Sequence, residues 1–142
     1  MRRWIPVILI SALLAQAQTP QQEPIQRITH TKVFAFGGIG FAGQISEGEN
    51  DFDFILKLPT AITIFETIYA TGTPEAKSYA LVGIRQVNKQ RFNELFRSLR
   101  GSQEQVETEK GCIVERRSLA DVVKEINSGQ FDPWLTVRDR TN

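Results

Sequence analysis

The chain has 142 residues, of which 17 are basic, 16 are acidic and one is a cysteine. This length suits a single compact domain. The near-balanced charge lacks the basic surface that binds phosphate backbones, so the composition argues against nucleic acid as a partner. A single cysteine also excludes a disulfide within the chain, and the fold must therefore rest on its hydrophobic core.

Residues 1–17 have the three zones of a secretory signal peptide. Two arginines form a basic start, residues 4–14 are a mostly apolar run, and Ala15 and Ala17 provide a small-residue cleavage site. The run is shorter than the roughly 20 apolar residues that a membrane-spanning helix needs. We therefore predict cleavage between Ala17 and Gln18 and a secreted or periplasmic protein without a stable membrane anchor.

The next part of the chain changes from polar to apolar near residue 31. Residues 18–30 are polar and contain two prolines, so they are predicted to form a flexible lead-in. The β-branched and aromatic run Thr31–Phe36 predicts a strand, which the glycines at 37–38 end. A helix is predicted from Glu47, where acidic residues complement the positive helix end, and Pro59 terminates it.

Three further helices are predicted from capping residues and hydrophobic periodicity. The first covers about residues 60–70. Thr73 provides a new N-cap and begins a helix that extends to about Gln86. That helix is apolar on all sides, which is typical of a central, buried helix. Asn88 caps the next helix, which Gly101 ends.

The last third of the chain contains a predicted hairpin and one more helix. Two extended runs around Gly111 indicate a β-hairpin. Ser118 then begins a helix that Gly129 closes. Residues 31–134 are therefore predicted to form one globular domain, and residues 135–142 a frayed C-terminal tail.

These elements favour a mostly helical α+β fold with about five helices and a small antiparallel β element. The first strand and the hairpin lie at opposite ends of the chain. We expect them to pair, because an isolated two-stranded hairpin is marginal in water. An all-α, helical-repeat-like fold is the alternative. The predicted core contains Phe65, Ile68, Ala80, Ile84, Phe92, Phe96, Val122 and Val123.

Two sequence patterns match the letters of ligand sites but lack their context. Residues 38–43 read Gly-Ile-Gly-Phe-Ala-Gly, like a dinucleotide-binding loop. Such a loop opens a helix at its last glycine and precedes a strand that ends in an acid, neither of which is indicated here, so we predict a turn and no cofactor. The alternating acids from Glu47 to Asp53 resemble a calcium loop. Phe54 and Thr60 occupy its required Gly and Glu positions, so no metal site is predicted.

Cys112 and His30 are the only thiol–imidazole pair that the chain can form. Nucleophilic catalysis would need the two groups within hydrogen-bond reach and a third group to orient the ring. One cysteine and one histidine are too few for the usual zinc sites. On a hairpin strand, Cys112 would share the apolar face of Val114, so we predict a buried, structural thiol. A catalytic Cys112, with His30 as its base, is the alternative.

Residues 73–100 begin with Thr-Pro-Glu-Ala, continue as an Ala- and Leu-rich buried helix and end in an amphipathic helix. This stretch resembles a helical repeat of the HEAT type, and HEAT arrays bind proteins or peptides along a concave face. The chain as a whole resembles an uncharacterised group of small exported bacterial proteins. That second resemblance implies no activity and no functional residues.

Two classes of function remain open. The lack of a catalytic constellation favours a non-catalytic binding module, whose partner would be another envelope or extracellular protein. Phe131 and Trp134 lie on a predicted C-terminal surface arm and are the candidate partner-binding residues, since large aromatic side chains commonly anchor interfaces. Burial of both side chains against the domain is the alternative. The alternative is a small exported enzyme that uses Cys112 as its nucleophile.

Overall fold

The computed structural model describes residues 19–136, so the predicted signal peptide and residues 137–142 of the predicted tail lie outside the described residues. Between residues 19 and 136 the chain forms seven helices and one two-stranded antiparallel sheet. In chain order these are α1 (Gln22–Thr29), α2 (Glu47–Leu56), α3 (Ala61–Thr71), α4 (Pro74–Val87), α5 (Lys89–Leu99), β1 (Gln105–Lys110), β2 (Ile113–Ser118), α6 (Leu119–Ser128) and α7 (Asp132–Thr136). The mostly helical α+β prediction is confirmed, and the hairpin excludes the all-α alternative.

The count of about five helices is too low because α1 and α7 occupy segments predicted as a flexible lead-in and a surface arm. In α1, Ile28 is fully buried and Ile25 packs against the core. On another side of α1, Arg27 donates to both carboxylate oxygens of buried Asp51, with a distance of 3.1 Å from Nε to Oδ2. Two apolar residues three apart and one ion pair therefore order a mostly polar segment.

Helix α4 lies at the centre of the domain. It contacts α1, α2, α3, α5, α6 and β1. Its residues 78–84 are all buried, which confirms the prediction of a central helix. Gly83 allows α3 to approach closely, because a Cβ at this position would overlap the ring of Phe65. Any larger residue would therefore push α3 and α4 apart.

The predicted core residues are buried at every position except Phe96. Phe96 is half-buried on the outer part of α5, where it stacks on Phe92 with 6.1 Å between ring centroids. The guanidinium of Arg100 lies over the Phe96 ring, 5.4 Å from its centroid. The hydrophobic stripe of α5 is therefore wider than the surface that the neighbouring helices cover.

The hairpin is confirmed, with an antiparallel register from Gln105 opposite Ser118 to Lys110 opposite Ile113. The predicted first strand pairs with it in parallel. Phe34 donates its N–H to Glu107 O at 2.8 Å, and its carbonyl accepts from Glu109 N at 3.1 Å. This third strand is reduced to isolated bridges, because positive-φ glycines follow it directly.

Candidate functional site

A cleft of about 230 Å³ lies between the hairpin, the extended segment 34–36 and residues 130–134 at the C-terminal side of α6. Its apolar side consists of aromatic rings and its other side of charged residues from β1, β2 and α6. Both predicted partner-binding residues, Phe131 and Trp134, line it. It combines packed aromatic rings with charged side chains in one concave surface, so we take it as the candidate site.

The aromatic side of the cleft is built on buried rings. Phe131 is half-buried, and its ring lies edge-on to Phe34 with 5.2 Å between centroids and tilted against Phe36 at 5.5 Å. Trp134 remains 42% exposed, although its indole packs on the backbone of Gly37. Phe131 therefore joins the floor to the hydrophobic core, while Trp134 presents an apolar surface to solvent.

Gly37 determines where the indole of Trp134 can lie. Its φ is +86°, and a Cβ there would lie 2.5 Å from an indole carbon. The N–H of Gly37 also donates to the carboxylate of Glu49, which is 1% exposed, at 3.2 Å. A glycine is thus required both by the backbone conformation and by the packing of Trp134. Because a buried acid fixes this backbone, the edge of the cleft is preorganised.

Tyr79 fixes the floor of the cleft from the opposite side. Its hydroxyl donates to Ala35 O at 2.8 Å and accepts from Ala35 N at 3.0 Å. The hydrogen bond that Tyr79 donates to Ala35 O needs the protonated phenol, and burial raises the pKa of Tyr79 to about 12. A central helix side chain therefore positions the extended segment between Phe34 and Phe36.

The charged side of the cleft is held by a bidentate ion pair. Arg117 on β2 donates to both oxygens of Glu125 on α6, at 2.9 and 2.6 Å. The hydrogen bonds to Glu125 raise the pKa of the Arg117 guanidinium above its ordinary value. Lys110 and Glu115 complete this rim. The residues of the pair are eight apart and on different elements, so no periodicity within one element indicates their contact.

The prediction of a buried Cys112 is wrong, because the thiol is exposed. The strands end at Lys110 and begin again at Ile113, so Cys112 belongs to the turn and not to a strand face. Val114 is also exposed, since its side of the hairpin points to solvent. His30 is exposed at the end of α1 and makes no side-chain hydrogen bond with Cys112. The structure therefore does not join the two candidate catalytic residues.

The glycine-rich segment forms a tight turn. Ile39 and Gln44 exchange backbone hydrogen bonds of 2.7 and 2.9 Å, and the next helix begins only at Glu47, with Ser46 as its cap. Of the acids at the start of α2, Glu49 holds Gly37 and Asp51 holds Arg27. Within residues 19–136, no group of three or more His, Cys, Asp or Glu side chains is placed to hold a metal ion.

No protein-family profile, curated protein or solved structure matches this chain. Within residues 19–136, no helix combines the length and the hydropathy that crossing a membrane requires. The cleft and the surface around it are therefore the features from which a function can be inferred.

Proposed function

We propose that this protein is a non-catalytic binding module that holds an apolar side chain of a protein partner in the aromatic cleft. The observation that carries the proposal is the half-exposed indole of Trp134, packed on Gly37 at a cleft of about 230 Å³. Rigid, partly exposed aromatic residues around a concave site are typical anchors of protein interfaces.

The chemistry of the cleft favours a peptide or protein over a small ion. Its apolar side suits a leucine or phenylalanine side chain, and Lys110, Glu115 and the Arg117–Glu125 pair offer donors and acceptors to a peptide backbone. The resemblance of residues 73–100 to HEAT repeats also fits a protein partner. With the predicted signal peptide, that partner is another envelope or extracellular protein.

The test uses the intrinsic fluorescence of the exported form. If the chain is cleaved before Gln18, Trp134 is its only tryptophan, because the other one is Trp4. Titration with N-acetyl-leucinamide or N-acetyl-phenylalaninamide should give a saturable shift of its emission. Phe131→Ala should weaken this binding about tenfold or more, and Val87→Ala, which alters an exposed apolar residue of α4, should leave it unchanged.

A change that rises linearly with amide concentration and is equal in Phe131→Ala would contradict the proposal. Glycinamide, which has no side chain, is the matched ligand control and should produce no saturable shift.

One observation favours the second candidate, an exported enzyme that uses Cys112. The thiol is exposed in a hairpin turn, where a substrate can reach it. A nucleophilic thiol, however, needs a base or a cationic field that raises its thiolate fraction. The rate at which the native thiol reacts distinguishes this function from a binding module, as described in the Discussion.

A further inference from the structure

Among residues 19–136, no strand pairs with the outer edge of β2, whose backbone groups point away from the domain. The backbone groups of Glu107 and Glu109 in β1 form hydrogen bonds with Phe34 and Glu75, on the side of β1 that faces away from β2. Their partners across the hairpin are Arg116 and Val114. In an antiparallel ladder such non-hydrogen-bonded pairs point their N–H and C=O groups outward, so Val114 and Arg116 offer theirs to the outer edge.

The side chains on this edge are also uncovered. Ile113 is 68% exposed and Val114 is 56% exposed. The side chain of Arg116 is 71% exposed and lies 3.9 Å from Glu107. The carboxylate of Glu115 forms no salt bridge with any residue between 19 and 136. An exposed strand edge with two large apolar residues is a site at which another strand can add.

Strand β2 can pair with β2 of a second copy of the chain, and its charges are complementary in one register. Two antiparallel registers between the two β2 strands use most of each strand and join their outward backbone groups. One places Glu115 opposite Glu115 of a second copy and forms no pair of opposite charge. The other places the two Arg116 residues at a two-fold axis and Glu115 opposite Arg117 of the second copy, twice. Opposite charges directly across two strands stabilise a sheet, and like charges destabilise it.

We propose that this protein forms a two-fold dimer through β2, in the register that pairs Glu115 with Arg117 of the second copy. Arg116 of each copy exchanges backbone hydrogen bonds with its counterpart, and Val114 lies opposite Ser118. Glu107, next to Arg116, offsets part of the repulsion between the two arginines. Two-fold closed dimers are the commonest oligomers of soluble proteins.

The dimer would extend the candidate site. Glu115 and Arg117 line the aromatic cleft in each copy, and in the proposed register Glu115 of each copy faces Arg117 of the other. The charged sides of the two clefts would then be continuous across the two-fold axis, which suits a partner with two contact points. The dimer itself does not depend on the proposed ligand, and its test measures association alone.

The experiment is sedimentation equilibrium of the exported protein over a range of concentrations, with a reductant present so that Cys112 cannot link two copies. Wild type should show a monomer–dimer equilibrium. Val114→Pro removes only an outward N–H and leaves the hydrogen bonds between β1 and β2, so it should weaken the dimer about tenfold or more. Circular dichroism establishes that this variant is folded.

Arg116→Thr should change the dimer affinity in the opposite direction, toward tighter association, which misfolding does not produce. Removal of the like-charge pair should tighten the dimer by about two- to fivefold. Arg97→Thr, an exposed arginine on α5, is the matched control and should leave association unchanged. Sedimentation of wild type and Arg116→Thr as monomers at every concentration, or a Val114→Pro dimer as tight as wild type, would overturn the proposal.

Discussion

At the scale of single residues, three buried groups position the extended segment that forms the cleft floor. Glu49 holds the N–H of Gly37, Tyr79 holds both backbone groups of Ala35, and the carboxylate of Glu75 accepts from Glu107 N at 2.8 Å in the adjoining strand. Each is a buried polar side chain that satisfies backbone groups that the two-stranded ladder leaves unpaired. The cleft is therefore determined by polar contacts beneath it as well as by its own rings.

Gly37→Ala should displace Trp134 and destabilise the domain by about 1–3 kcal/mol, because it combines a positive φ with a Cβ 2.5 Å from the indole. Urea denaturation measures the loss, and the Trp134 emission spectrum reports the movement. Gly101→Ala is the control, since a Cβ there meets no atom within 4 Å. Unchanged Trp134 emission in Gly37→Ala would show that the indole does not rest on this glycine.

Cys112 should react with a thiol reagent at the same rate in the native and the unfolded protein, because it is exposed in a turn. For the same reason Cys112→Ser should change the free energy of unfolding by less than about 0.5 kcal/mol. The measurement is a thiol titration with and without denaturant. Native labelling many times slower would contradict the exposure. Faster native labelling would indicate an activated thiolate and place the enzyme function first.

At the scale of the elements, residues close together in sequence made the helices predictable. Thr73, Asn88 and Ser118 were each predicted as helix caps, and each accepts a hydrogen bond from the backbone N–H three residues later, at 3.1, 3.0 and 3.1 Å. The cleft was only half predictable. Phe131 and Trp134 stand out as large aromatics, whereas the Arg117–Glu125 contact depends on how the hairpin meets α6.

Ile84→Ala should cost about 2–5 kcal/mol, because this side chain of α4 is fully buried and its loss leaves a cavity between helices. Phe96→Ala should cost less, about 1–2 kcal/mol, since the ring is only half-buried on α5. Midpoints of urea denaturation, with unchanged slopes, give both values. Equal losses for the two variants would mean that Phe96 belongs to the inner core.

At the scale of the whole molecule, the chain closes on itself through its β element. The segment at Phe34, near the start of the described residues, pairs with β1, and Phe131, near their end, packs on Phe34 and Phe36. The predicted contact between the two ends of the domain is thus confirmed, and the cleft lies where they meet. The hydrogen bond from Tyr79 of α4 to Ala35 connects this junction to the helical core. Ionisation of Tyr79 should therefore affect the stability of the entire domain.

Ionisation of Tyr79 should destabilise the protein in alkali. Burial raises its pKa from 10.0 to about 12, so the folded state favours the protonated phenol. The stability from this preference is complete below pH 10 and is lost as the pH rises through about 12. The shift corresponds to about 3 kcal/mol at most. Chemical denaturation at a series of pH values should therefore show a decline between these limits.

Tyr79→Phe should remove that decline and lower stability at neutral pH by about 1–3 kcal/mol, because the N–H of buried Ala35 loses the oxygen to which it donates. Tyr69→Phe is the matched control, since Tyr69 is the only other tyrosine and lies half-buried on α3. It should keep most of the alkaline decline. A Tyr79→Phe protein that still loses stability as steeply as wild type would show that another group controls alkaline unfolding.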